Sequence, residues 1–192
     1  VKLQTNKNAT IDIAIQDLNG DNLPDLVLAN RDNIPNEIFI NKGNRQFTKK
    51  LDFGSGTFET RSVAIADMNN DGILDIVTGN INSSNIIYFG DKNFTFNQTL
   101  LFGSKDTDTY SIALADFNKD GFMDIVTGNY LKPNSVFINL DGKTFEEINL
   151  TDSSSRTYGV TVGDINSDGW IDIAIANSDD LNLYYLNIFH KK

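Results

Sequence analysis

Asp116-Phe-Asn118-Lys-Asp120-Gly121-Phe122-Met-Asp124 is the stretch on which the reading of this chain turns. Oxygen-bearing side chains stand at its positions 1, 3, 5 and 9, with a glycine at position 6. The pattern returns as Asp17-Leu-Asn19-Gly-Asp21-Asn22-Leu23-Pro-Asp25, Asp67-Met-Asn69-Asn-Asp71-Gly72-Ile73-Leu-Asp75 and Asp164-Ile-Asn166-Ser-Asp168-Gly169-Trp170-Ile-Asp172. The first aspartates are 50, 49 and 48 residues apart. A fixed period of that length marks a repeat array, in which each repeat is one structural unit.

The loop chemistry suits a hard cation. Calcium takes six to eight oxygen ligands, and spacing at positions 1, 3, 5, 7 and 9 is how a tight acidic loop supplies them. Position 6 needs positive φ, which glycine meets at Gly72, Gly121 and Gly169; Asn22 is the best substitute in the first loop. The expected ligand sets are Asp17, Asn19, Asp21 and Asp25; Asp67, Asn69, Asp71 and Asp75; Asp116, Asn118, Asp120 and Asp124; and Asp164, Asn166, Asp168 and Asp172. Each is completed by the position-7 carbonyl, of Leu23, Ile73, Phe122 or Trp170. About one Ca²⁺ per repeat, up to four, is the expectation. The plainer reading is that these are Asx turns. A turn needs one such residue, whereas each loop has four, and three carboxylates crowded without a cation repel one another.

Composition narrows the function classes. The net charge is −10, and twelve of the 26 acids lie in the four loops, so the acidity is mostly loop charge. No basic cluster points to nucleic acid, and no window approaches the ~18 apolar residues of a membrane span. The chain has no cysteine, which excludes disulfides and thiol chemistry.

Short β-branched runs surround each loop. Ile11–Ile15, Val63–Ala66, Ile112–Ala115 and Val160–Gly163 precede it, and Leu26–Asn30, Ile76–Asn80, Ile125–Asn129 and Ile173–Asn177 follow. A third run comes at Ile38–Ile40, Ile86–Phe89, Val136–Ile138 and Leu183–Leu186. A more polar fourth is expected at Phe47–Leu51, Phe94–Leu101 and Phe145–Leu150. Four antiparallel strands per repeat predict an all-β chain, a β-propeller of four-stranded blades forming a single domain over residues 1–192. The acidic loop is then the hairpin between the first two strands, and Ala14, Ala64, Ala113 and Thr161 suit a crowded innermost strand. Val1–Leu3 aligns with the end of a fourth strand, and the last repeat lacks one. Two arrangements follow: a closed four-bladed ring clasped by Val1–Leu3, or four blades of a larger propeller, for example seven-bladed.

The run Ile112–Asn129, followed by Val136-Phe-Ile-Asn139 and Gly142-Lys-Thr-Phe145, resembles the FG-GAP/VCBS repeat, the unit of integrin-α-like propellers. The resemblance covers nearly the whole chain. It implies calcium held at the loop aspartates and asparagine. It also implies an extracellular or cell-surface setting, but it names no ligand, since the family includes adhesion receptors, lectins and enzyme-attached modules; a protein or a glycan is the partner expected.

Catalytic signals are weak. His190 is the only histidine and lies in the tail, and Glu146–Glu147 falls on an outer strand expected to be solvated. Trp170, Phe122 and Tyr158 could form a platform, although packing is the better reading. Sequons occur at Asn8, Asn82, Asn93, Asn97 and Asn149, close to chance for this composition. The expected function is a non-catalytic, calcium-binding adhesion or recognition module. The alternative is a polysaccharide-active lyase or hydrolase, or its attached propeller. An unliganded Asp, Glu, Tyr or Arg cluster on the central face would favour the enzyme, and one shallow pocket repeated between blades would mark a lectin.

Overall fold

The structure, a computed structural model, describes residues 3, 9–54, 59–150 and 154–188. Every regular element among them is a β-strand. The first blade comprises β1 (Thr10–Gln16), β2 (Asp25–Asn30), β3 (Asn36–Asn41) and β4 (Phe47–Phe53). The second comprises β5 (Glu59–Ala66), β6 (Asp75–Ile81), β7 (Asn85–Phe89) and β8 (Gln98–Phe102). The third comprises β9 (Asp108–Ala115), β10 (Asp124–Tyr130), β11 (Ser135–Asn139) and β12 (Phe145–Asn149). The fourth has β13 (Arg156–Gly163), β14 (Asp172–Ser178) and β15 (Leu183–Tyr185). All neighbours within a blade are antiparallel and sequential. A bridge between Tyr130 and Arg156 links the third blade to the fourth.

Alternation within each strand produces two apolar faces per blade, and these faces pack blade on blade. Val27, Ile38 and Ile40 meet Val63, Ile76 and Tyr88. Val77, Ile87 and Phe89 meet Ile112, Ile125 and Phe137. Val126, Val136 and Ile138 meet Val160, Ile173 and Tyr185. Each fully buried aliphatic or aromatic side chain here stabilises by about 1.5–3 kcal/mol relative to exposure.

Polar groups set the register between blades. Asp12 Oδ2 accepts the amide of Val63 (2.9 Å), Ser62 Oγ that of Ile112 (3.2 Å), and Ser111 Oγ that of Val160 (3.1 Å). A second, buried set repeats as closely. Thr10, Thr60, Thr109 and Thr157 donate to Asn30, Asn80, Asn129 and Asn177. Asn36, Asn85 and Asn134 then reach the threonine of the following blade at 3.0 Å each.

Close approach explains Gly128. A Cβ there would lie 2.8 Å from both Thr157 Cγ2 and Val160 Cγ1 of the next blade.

Three details differ from expectation. The outer strand of the second blade starts at Gln98, not Phe94. Phe94 and Phe96 instead sit at φ 62° and 54°, in a turn fixed by Asp91, and pack edge-to-face with Phe96 buried. Packing is the expectation for Tyr158, and it does pack edge-on to Tyr110 of the neighbouring blade, yet it stays about half exposed, at the end of its strand away from the acidic loops that hold Trp170 and Phe122. Finally, β1 packs on β5, β5 on β9 and β9 on β13, but β13 makes no comparable contact with β1. Among the described residues the four blades therefore form an open arc. Val1 and Lys2 of the expected clasp, and His190, lie outside the described residues.

Candidate functional sites

All four acidic loops adopt one conformation, each joining the first two strands of its blade. Position 6 has positive φ throughout: 66° at Asn22, 84° at Gly72, 93° at Gly121 and 84° at Gly169. Position 4 does too, at Gly20 (75°), Asn70 (57°), Lys119 (61°) and Ser167 (60°). Sequence reasoning missed this second left-handed residue, because lysine and serine carry no signal for it. The first loop has simply moved its glycine from position 6 to position 4.

Position 1 organises the turn. Asp67 accepts the amides of Asp71 (3.1 Å) and Gly72 (2.7 Å), and Asp116 those of Asp120 (3.1 Å) and Gly121 (2.9 Å). Asp17 and Asp164 do the same for their own loops. Position 3 accepts the position-5 amide at 3.0 Å in every loop, through Asn19, Asn69, Asn118 and Asn166. The position-5 carboxylates of Asp21, Asp71, Asp120 and Asp168 accept the amides of Leu23, Ile73, Phe122 and Trp170.

Position 9 behaves differently. Asp25, Asp75, Asp124 and Asp172 are all 0 % exposed. One oxygen of each accepts the position-2 amide, of Leu18, Met68, Phe117 or Ile165. The other accepts an amide at the end of the third strand, of Asn41, Gly90, Asn139 or Asn187. The residue expected only as a ligand is thus also the clamp between the hairpin and the blade. Burial pushes the carboxyls of Asp75 and Asp124 up to about 6 against the pull of those amides, with the neighbouring loop aspartates adding to the rise.

The donor chemistry fits a hard dication. Each turn carries three carboxylates and an amide oxygen, and its position 6 is open, since a Cβ at Gly72 or Gly121 would meet nothing within 4 Å. Each carboxylate oxygen carries two lone pairs, so one amide bond leaves capacity for a cation. As they lie, no three acidic side chains among the described residues converge into a metal cluster; they are turned onto loop amides.

A second assembly stands at the opposite end of the innermost strands. Each has a register shift beside its threonine, and the bulged residues are Ile11, Arg61, Tyr110 and Tyr158. They line one cleft of about 340 Å³ together with Asp12, Ser62 and Ser111. The Arg61 guanidinium lies 5.2 Å from the Tyr110 ring centre. Tyr110 packs edge-on to Tyr158 at 5.1 Å and stacks on Tyr130 at 5.3 Å. Of these, sequence reasoning had noticed Tyr158 alone. The missed signal was the threonine at one fixed offset before each loop, which marks where every inner strand bulges.

A family profile described as FG-GAP-like repeat matches residues 17–78, 67–127 and 116–175, running each time from one acidic loop to just past the next. The chain belongs to the FG-GAP-like repeat family. Among solved structures it is similar to BBS1N crystallised in complex with ARL6DN and soaked with lead, at 14% identity and a TM-score of 0.58 over 89% of this chain and 51% of that one. The mercury-soaked form of the same complex gives 14% identity and a TM-score of 0.59, over 90% and 52%. These likenesses place the FG-GAP-like arc among β-propellers by fold alone, and the chain spans about half the length of those structures. No curated protein matches it.

Proposed function

We propose that this chain is a non-catalytic recognition module whose acidic loops each take one Ca²⁺, working at the cell surface or outside the cell. The carrying observation is the fourfold recurrence of one loop geometry around three carboxylates, with the position-9 carboxylate buried beneath it. Calcium would be held by Asp17, Asn19, Asp21, the Leu23 carbonyl and Asp25, and by the equivalent sets beginning at Asp67, Asp116 and Asp164. It would supply charge balance and rigidity to the hairpin, not chemistry. Modules of this kind outside the cell bind calcium at roughly 10⁻⁴ to 10⁻³ M, a concentration met there. The asparagines of four sequons, Asn82, Asn93, Asn97 and Asn149, are exposed, as glycan attachment would need. Protein recognition is supported by the complex that the similar BBS1N structures contain.

The enzyme reading draws on the Asp, Tyr and Arg cluster at the central cleft. Its groups are already engaged. Asp12 already accepts from the Ser62 hydroxyl and from the amides of Val63 and Ile13. Burial pushes the Tyr110 phenol up, away from the phenolate a lyase would use. Both features support binding over catalysis. Calorimetric titration of metal-stripped protein with calcium tests the reading, with three to four sites expected. Fewer than three sites at saturation would overturn it.

A further inference from the structure

We propose that the central cleft lined by Ile11, Arg61, Tyr110 and Tyr158 is a carbohydrate-binding site, which names a ligand class for the recognition reading above and rests on it. The four repeats share their threonine before the bulge and its asparagine partner on the next strand. At the bulged position between these fixed points they carry Ile, Arg, Tyr and Tyr. A bulge takes a residue out of the ladder and re-aims its side chain, so the frame stays constant while one position per blade is free to vary. All four variable positions converge on one cleft.

Its chemistry is that of a sugar site. Tyr158, exposed and packed edge-on to Tyr110, offers ring surface on which the apolar face of a pyranose can lie, while Tyr110 is itself held between Arg61 and Tyr130. Asp12 and Ser111 line the same cleft and keep lone pairs for ring hydroxyls beyond the interblade bonds they already make. Arg61 adds a cation to the lining, its Nη2 paired with Glu59 at 3.3 Å and its guanidinium held over Tyr110, so a charge-assisted donor stands at the cleft wall. Aromatic and aliphatic surface from Ile11, Tyr110 and Tyr158 alternates here with the polar groups of Asp12, Arg61 and Ser111, the mixed lining an amphipathic ligand such as a sugar needs. The other clefts, between neighbouring blades, have different linings from junction to junction.

The test is a printed array of neutral, uronate-bearing and sulfated glycans, probed with the calcium-saturated protein. Binding to a defined glycan class is expected. Tyr158→Ala and Arg61→Gln should each weaken it at least tenfold, and Tyr184→Ala, an exposed tyrosine on the third strand of blade four, should not change it. No glycan binding, or binding unaffected by Tyr158→Ala and Arg61→Gln, overturns the site, and so does a Tyr158-dependent ligand that proves to be a protein. Thermal midpoints with and without calcium are measured on the same samples. Unbound calcium there removes the underlying reading, whereas four bound calcium ions without glycan remove this inference alone. Release of new reducing ends from a bound polysaccharide would keep the cleft and replace the non-catalytic reading.

Discussion

The hydroxyl of Ser62 accepts the backbone amide of Ile112 at 3.2 Å while donating to Asp12 at 3.1 Å, so one side chain ties three blades together. Ser62→Ala should therefore strip a partner from both neighbours. An unpaired buried amide costs about 1–3 kcal/mol, and a loss in that range is expected by denaturant titration. Ser111→Ala removes the equivalent bond to Val160, which is less buried, and should cost less.

Position 9 and position 5 of an acidic loop should separate when calcium is withheld. In EGTA, Asp75→Asn leaves one of its two backbone donors, Met68 or Gly90, facing an amide group, and should lose about 1–3 kcal/mol. Asp71→Asn, on the exposed rim, should change stability little in EGTA. With calcium present both variants should bind less metal. Chemical denaturation in the two conditions checks both halves.

Calcium should raise stability by linkage, by roughly 2.7 kcal/mol per site at a hundred times the dissociation constant. Differential scanning with calcium, magnesium and EGTA reads this directly. Calcium should raise the midpoint most, because magnesium demands tighter octahedral geometry and keeps its waters. A midpoint indifferent to EGTA contradicts a structural role for the metal.

Alkaline pH should loosen the junction between the first two blades. Burial pushes the Tyr88 phenol up to about 12, where it packs edge-to-face on Phe53 at 5.1 Å. Below pH 10 the group is neutral folded and unfolded, and its contribution is complete. Between pH 10 and 12 the unfolded chain ionises first, so stability falls, by roughly 2–3 kcal/mol for a two-unit shift. Tyr88→Phe should flatten that decline, leaving a remainder from Tyr110, whose phenol is also raised. Ultraviolet titration of the six tyrosines should show Tyr88 ionising last, with Tyr110 also late.

The architecture was legible because the acidic loop dictates a hairpin and period-2 runs dictate its strands. Even the odd first loop could be read, since Asn22 takes the left-handed conformation expected of it. The loop aspartates were legible as a group, but the division of labour within them was not. Only the fold brings the Gly90 and Asn139 amides to Asp75 and Asp124, far along the chain. The outer strand of blade two was misplaced because Phe94 and Phe96 look like strand residues, while the Asp91 bonds that hold their turn leave no mark in a hydrophobic pattern. Arg61 and Tyr110 escaped notice for a related reason. A one-residue register shift is invisible to alternation when the residues on either side are themselves permissive.

The bulges of the four inner strands also separate two demands that most folds entangle. Their side chains stand outside the ladder, so the threonine and asparagine pins on either side hold the strands whatever residue occupies positions 11, 61, 110 and 158. Folding information and ligand information are written at different addresses along the chain. A library randomised at those four codons alone should stay folded while its members diverge in what they hold, which makes this arc a chassis for selecting new binders.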